Sequence, residues 1–296
     1  MNTEGEKRSI RAIIDSTHTF EGAGFPVTRP FPTQRLMDCD PFLLLDEMGP
    51  MQLAPGENTG APDHPHRGFE TVTYLFSGEM EHKDSQGNIG KLKAGDVQWM
   101  TAGAGVIHSE LTPESFNQSG GTLHGVQLWV NLPSSDKMMQ PRYQDIVAHQ
   151  MPIAISKDGL VQVKVLAGQS LGVQAVIETR IPIMYLHMTL QPGGTITQQI
   201  PDNFNTFAYI IDGSATIGIE QASVEDSQMA MLEPGCKQIT LNNPVQNTKV
   251  CNLLLIGGKP IGEKVVRYGP FVMNSEAEIN QAISDYRRGQ FGTINV

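Results

Sequence analysis

The stretches DHPHRGFETVTYLFSG at positions 63–78 and QWMTAGAGVIHSE at positions 98–110 decide how the rest of this chain is read. His64 and His66 alternate in the first, His108 and Glu110 in the second. Side chains two apart on a strand leave the same face, so each pair can present two ligands inward. Two such strands brought together offer three imidazoles and one carboxylate to a single point. That spacing proposes a metal site. A solitary His-x-His or His-x-Glu pair is more often structural or solvent-facing. Here both pairs fall at strand ends beside Gly-rich turns of one β module, on matching faces. Arg67 and Phe69 alternate with the ligands and are expected on the opposite side, as packing and rim residues. His82, His124 and His149 carry no such pattern and read as ordinary.

Outward from these stretches the pattern is β. ETVTYLF (70–76) is rich in β-branched and aromatic residues and ends at Ser77-Gly78. A strand at 80–83 runs into DSQGN (84–88), a hairpin signal. Gly95-Asp96 turns into 97–100, and GTLHGVQLWVN (121–131) is a further strand after a polar loop at 113–120. Upstream, 9–14 and PFLLLDE (41–47) read as short strands, separated by turns at Gly22, Gly24, Pro26, Pro30 and Pro32. Residues 1–7 read as a frayed polar end, and 49–62 as a Gly/Pro-rich loop feeding the first ligand pair. SSDKMMQPR (134–142) reads as an interdomain connection. Strands resume at 161–167, 174–179, 184–190, 206–211, 215–219, 238–241 and 250–256. Ser275 with Glu278 makes a capping box, and Ile279, Ala282, Ile283 and Tyr286 keep a helical stripe. They predict a C-terminal helix that ends before Gly289 and packs on the second domain. Many short strands with frequent turns mean an all-β barrel or sandwich architecture. With 296 residues the expectation is two domains, placed at 1–140 and 141–296.

TFAYIIDG (206–213) aligns with TVTYLFSG (71–78), with Thr, Tyr and Gly coinciding. At that offset Gln199, Pro201 and Asn205 stand where His64, His66 and Glu70 do; a second register sets Gly235 on Gly103, Thr240 on His108 and Asn242 on Glu110. The second half therefore reads as a copy of the first module without metal ligands.

Composition narrows the function classes. Hydrophobic residues make up 39% of the chain and charged ones 18%, enough apolar content for a real core. Lys plus Arg number 21 against 31 Asp plus Glu, a formal charge of -10, which gives no footprint for direct nucleic-acid or anionic-membrane binding. Cys39, Cys236 and Cys251 are widely spaced with no CxxC pair, against a disulfide framework or a thiolate zinc site. MNTEGEKRSIRAIID lacks a signal-peptide core, and no apolar run is long enough for a membrane helix. The expectation is a cytoplasmic protein, with a nuclear location also open in a eukaryote.

Imidazole and carboxylate without thiolate suit Fe(II)/Fe(III), Ni, Mn, Cu or Zn, and not a closed structural zinc. Four protein ligands on an octahedral ion would leave two positions for water, dioxygen or a chelating substrate. Asp46 and Gln127, at strand ends near the same motifs, are further pocket candidates against a reading as ordinary turn or core polar residues.

HxHxxxE followed by Gly78, and Gly95, Gly105 and His108 downstream, resemble the two cupin motifs. DHPHRGFETV, GDVQWMTAGAGVIHSE, HGVQLWVNLP and GPFVMN together resemble the pirin family over nearly the whole chain. The resemblance implies two tandem cupin barrels, jelly-roll-like, followed by the C-terminal α-helix. It implies an iron held by His64, His66, His108 and Glu110, and a C-terminal barrel without metal. Other cupins use the carboxylate at Glu70 as the ligand. Here Glu110 is expected to bind the metal, with Glu70 behind it orienting a ligand.

The resemblance further implies quercetin 2,3-dioxygenase activity: a flavonol-like substrate and dioxygen, with ring cleavage and loss of carbon monoxide. Glu110 or Glu70 would take the proton of the substrate hydroxyl. The alternative is a redox-responsive, iron-containing regulator that binds a protein partner, either a transcription factor or a metabolic enzyme. A metal-stabilised β protein without activity is a third reading.

Overall fold

The computed structural model describes residues 7–21, 24–37 and 39–294. Expectations for the N-terminal end before Lys7 and for Gly22 lie outside these residues.

Two compact units emerge, and neither is continuous in sequence. One comprises the described residues of His18–Asp38, Phe42–Gln150 and Ile261–Val296. The other comprises the described residues of Met1–Thr17, Cys39–Pro41 and Met151–Pro260. The main division thus falls at Gln150/Met151, ten residues beyond the expected 140/141 boundary. The polar segment expected to connect the domains instead runs into a strand, Arg142–Ile146, that pairs with Val97–Thr101.

In the first unit a seven-stranded sheet faces a four-stranded one. The long sheet runs Arg142–Ile146, Val97–Thr101, Phe69–Ser77, Gly121–Asn131, Phe42–Leu53, Phe25–Phe31, Thr17–Glu21. The short sheet runs Gly60–His66, Val106–Leu111, Glu79–Asp84, Ile89–Lys93. Gly60–His66 contains Pro62 and Pro65, which cannot donate to a ladder, and it lies at a sheet edge, where proline is tolerated. The stretch expected as a loop at 49–62 is therefore partly strand at both ends.

The second unit repeats the plan. Its four-stranded sheet runs Thr195–Gln199, Gln238–Asn242, Ser214–Ile217, Ala222–Glu225, the same order as in the first. One register detail differs from the sequence alignment. Thr197 pairs with Thr240 as His64 pairs with His108, so the constant offset slips by two residues across the turn at 200–204. A hydroxyl pair, Thr197 Oγ1 and Thr240 Oγ1 at 3.2 Å, occupies the corresponding rung. The interior is one apolar cluster including Val163, Leu186, Met188, Ile210, Leu241 and Leu253.

The C-terminal helix, Glu276–Arg287, begins as expected with the Ser275 side chain accepting from the Glu278 amide. Its partner corrects the expectation. It belongs to the first unit, where Ile279 and Ala282 pack with Phe271, Met273 and Phe291, and Asp285 pairs with Arg67. The helical stripe told which face is buried but not what covers it.

Candidate metal centre

The ladder between Gly60–His66 and Val106–Leu111 sets His108 opposite His64 and Val106 opposite His66. Strand alternation then brings the three imidazoles together, and their candidate ligand atoms all lie within 4.8 Å of one another. Ring centroids are 4.3 Å apart for His64 and His108, 4.7 Å for His64 and His66, and 4.9 Å for His66 and His108. His66 and His108 are buried, while His64 is partly exposed and forms the outer rim.

Tautomers follow from the partners. His64 Nδ1 donates to the Pro62 carbonyl at 2.7 Å, which leaves its Nε2 lone pair for a ligand. Nδ1 of His66 and Nε2 of His108 are buried and have no hydrogen-bond partner. Burial, reinforced by the neighbouring imidazoles, holds both groups well below the ordinary histidine pKa. Three clustered imidazoles, two of them with buried unengaged nitrogens, are a donor set that a divalent cation satisfies. Among the described residues no cysteine joins the group.

Glu110 is two residues from His108 and buried. Its carboxylate is held by the Thr73 hydroxyl at 2.7 Å and the Gln127 amide at 2.8 Å. Gln127 in turn accepts from the indole N–H of Trp129 at 3.2 Å. Gln127 therefore touches Glu110, which among the described residues lies outside the clustered group of His64, His66 and His108. Asp46 lies opposite Gln127 in the ladder and is gripped by both Arg29 nitrogens, Nε and Nη2, at 2.6 Å. Burial pushes the Asp46 carboxyl up to about 6, against the pull of Arg29.

Glu70 is not brought to the histidines. Thr73 faces Glu110, and Glu70, three residues away on the same regular strand, points to the other face. There it accepts from Thr101 Oγ1 at 2.6 Å.

Two further expectations are revised. Phe69 does not face away: its ring meets His66 at 5.0 Å and Trp129 at 4.4 Å. Gly68, with φ +89, lies between the strands and resets the alternation. Arg67 is no rim residue, being buried with Nη1 on Asp285 Oδ2 at 2.8 Å, Nε on the Ala104 carbonyl at 2.6 Å and its guanidinium over Phe291.

His82, which carries no ligand pattern in the sequence, is buried with Nδ1 3.3 Å from His108 Nδ1. A signal existed: Met80, His82 and Asp84 alternate inward along Glu79–Asp84, so the pattern that puts Met80 in the core puts His82 inside too. No helix among the described residues is long and apolar enough to cross a membrane.

Comparison with known proteins follows the same line. Residues 24–130 match the Pirin family model and residues 185–292 the Pirin C-terminal cupin domain. A pirin-like protein of Solanum lycopersicum is 45% identical over 273 residues, covering 92% of this chain and 89% of that protein. Pirin of Homo sapiens is 41% identical over 291 residues, covering 97% and 95%. The crystal structure of quercetin 2,3-dioxygenase from Acinetobacter baumannii superposes with a TM-score of 0.89 at 37% identity, covering 97% of this chain and 99% of that one.

Proposed function

The chain belongs to the pirin family, with two cupin domains, and on that premise we propose that it is an iron-dependent oxygenase of flavonol-type substrates. The observation that carries the reading is the group of three clustered imidazoles, in which a buried ring nitrogen of His66 and one of His108 have no hydrogen-bond partner. The likeness to a quercetin 2,3-dioxygenase of Acinetobacter baumannii supports the substrate class.

In this reading His64, His66 and His108 would hold the metal, joined by Glu110. Bound iron supplies Lewis acidity toward an enolic hydroxyl and a route for electrons to dioxygen; nickel, manganese, copper and zinc suit the same donors. The chain's own residues supply the rest. Thr73 and Gln127 hold Glu110 by one hydrogen bond on each oxygen, so its remaining lone pairs are aimed. Glu110, displaced from the ion, would take the proton of a substrate hydroxyl that comes within hydrogen-bond reach of it. The partly exposed Trp129 ring, edge-on to His66 and backed by the buried Phe69, gives an apolar surface suited to an aromatic ring. Asp46, neutralised by Arg29, adds no free charge beside that wall.

The test is anaerobic reconstitution with Fe(II), then quercetin and air, following the flavonol absorbance. Loss of absorbance that needs iron and disappears in His66→Ala and Glu110→Ala is the expected result. Stoichiometric metal binding without turnover would overturn the oxygenase reading and favour the regulator that acts through a protein partner.

A further inference from the structure

Behind His108, on the side away from His64 and His66, the strand Glu79–Asp84 carries a fourth imidazole, which is buried. Glu110 pairs with His82 in the ladder, and His108 with Asp84, so all four side chains share one face. The two Nδ1 atoms of His82 and His108 are 3.3 Å apart, at the long end for an N–H···N bond, and the rings are 5.1 Å apart between centroids. Tyr143 closes the far side with its ring 5.0 Å from that of His82. Asp84 is itself fixed by the Asn88 and Gln86 amides at 2.8 and 2.9 Å. His82 thus faces one of the three metal-site histidines through Nδ1, while its Nε2 is buried without a hydrogen-bond partner.

Two nitrogens facing one another share one proton, and its position decides what His108 can do. With the proton on His82 Nδ1, His108 must carry its own on Nε2 and cannot use that atom as a ligand. With the proton on His108 Nδ1, His82 accepts, and the buried, unpartnered Nε2 of His108 presents a lone pair. We propose that His82 is a positioning residue for the metal centre: its Nδ1 accepts the Nδ1 proton of His108 and so fixes the tautomer and ring plane that offer His108 Nε2 to the ion. A ligating histidine ordinarily directs its second nitrogen to a carboxylate, carbonyl or water; here another imidazole takes that place. The inference rests on the metal reading of His64, His66 and His108.

Asparagine and glutamine separate position from size. The Asn amide reaches the place of a histidine Nδ1, whereas the Gln amide reaches that of Nε2. The experiment is competition between the full-length protein and a chelator for Zn(II), in wild type, His82→Asn, His82→Gln and His82→Leu, each checked for native circular dichroism. Nitrogen-15 NMR of the histidine side chains of the zinc-loaded wild type accompanies it. The expected result is an affinity loss of about 10- to 100-fold in His82→Leu and His82→Gln. His82→Asn stays within about threefold of wild type, an amide oxygen replacing the lost acceptor. The spectrum shows a protonated His108 Nδ1. Leu and Asn variants that weaken equally, or a Leu variant that binds like wild type, would overturn the proposal. Because the spectrum is read on wild type, failure of the variants to fold does not protect it: zinc held with His108 Nδ1 unprotonated refutes it while sparing the metal reading. Absence of zinc binding by the wild type would overturn both.

Discussion

Replacing Asp285 by alanine removes one half of a buried ion pair that ties the C-terminal helix to the turn just after His66. The Arg67 and Asp285 side chains are 5% and 10% exposed, and the Nη1–Oδ2 distance is 2.8 Å. Removing one partner of such a pair costs roughly 3–5 kcal/mol, because the other charge stays buried without compensation. Arg67 would keep the Ala104 carbonyl and the Phe291 ring, which places the loss at the low end, about 3 kcal/mol. Urea unfolding of wild type, Asp285→Ala, Arg67→Met and the double variant completes a cycle, and the double variant should lose less than the sum of the singles. The pH dependence has a definite sign. The hydrogen bond from Arg67 holds the Asp285 carboxyl below its ordinary 3.8 in the folded protein. The pair's contribution is therefore complete above 3.8 and is lost as pH falls through the lower, folded value. The stability gap between wild type and Asp285→Ala should be constant at neutral and mildly acidic pH and shrink only below that point. A loss under about 1 kcal/mol, typical of an exposed pair, would refute the reasoning. So would a gap that does not change in strong acid.

Three other outcomes follow from the same unit. Lys137→Met strips the donor from Gly68 O, Asn131 Oδ1 and Val272 O, bonded at 2.8, 2.7 and 3.0 Å. With buried acceptors costing roughly 1–3 kcal/mol each when unmet, thermal unfolding should show a loss of at least about 2 kcal/mol. Gly68→Ala would force a Cβ to 2.0 Å from Val272 O at a φ of +89, so the variant should be destabilised and bind Zn(II) more weakly in chelator competition. Chelation of the bound metal should lower the melting temperature of wild type and leave His66→Ala unchanged, a stability difference of about 2.7 kcal/mol at a free metal level 100 times Kd.

How much of this was legible in the sequence depends on the range of the signal. His64, His66 and His108 could be placed because a two-residue period survives within each strand, and Pro62 and Pro65 do not disturb it at a sheet edge. The same rule failed across Gly68, where a positive φ reset the alternation and turned Phe69 toward the site. It also separates Glu70 from Glu110, a point that motif spacing left open. The repeat was visible in Tyr74 and Tyr209 with their flanking Thr and Gly, but its register slipped at the turn before Asn205. Arg67 with Asp285, 218 positions apart, has no local signature at all. The helix face was readable; the partner across the chain was not.

The most direct test of the account is metal content and ligation of the purified full-length protein loaded anaerobically with Fe(II). Elemental analysis with X-ray absorption should find one ion per chain in a nitrogen and oxygen shell with imidazole scattering, lost on replacing His66 or His108 by alanine. An ion retained by both variants, or a shell containing sulfur, would contradict it.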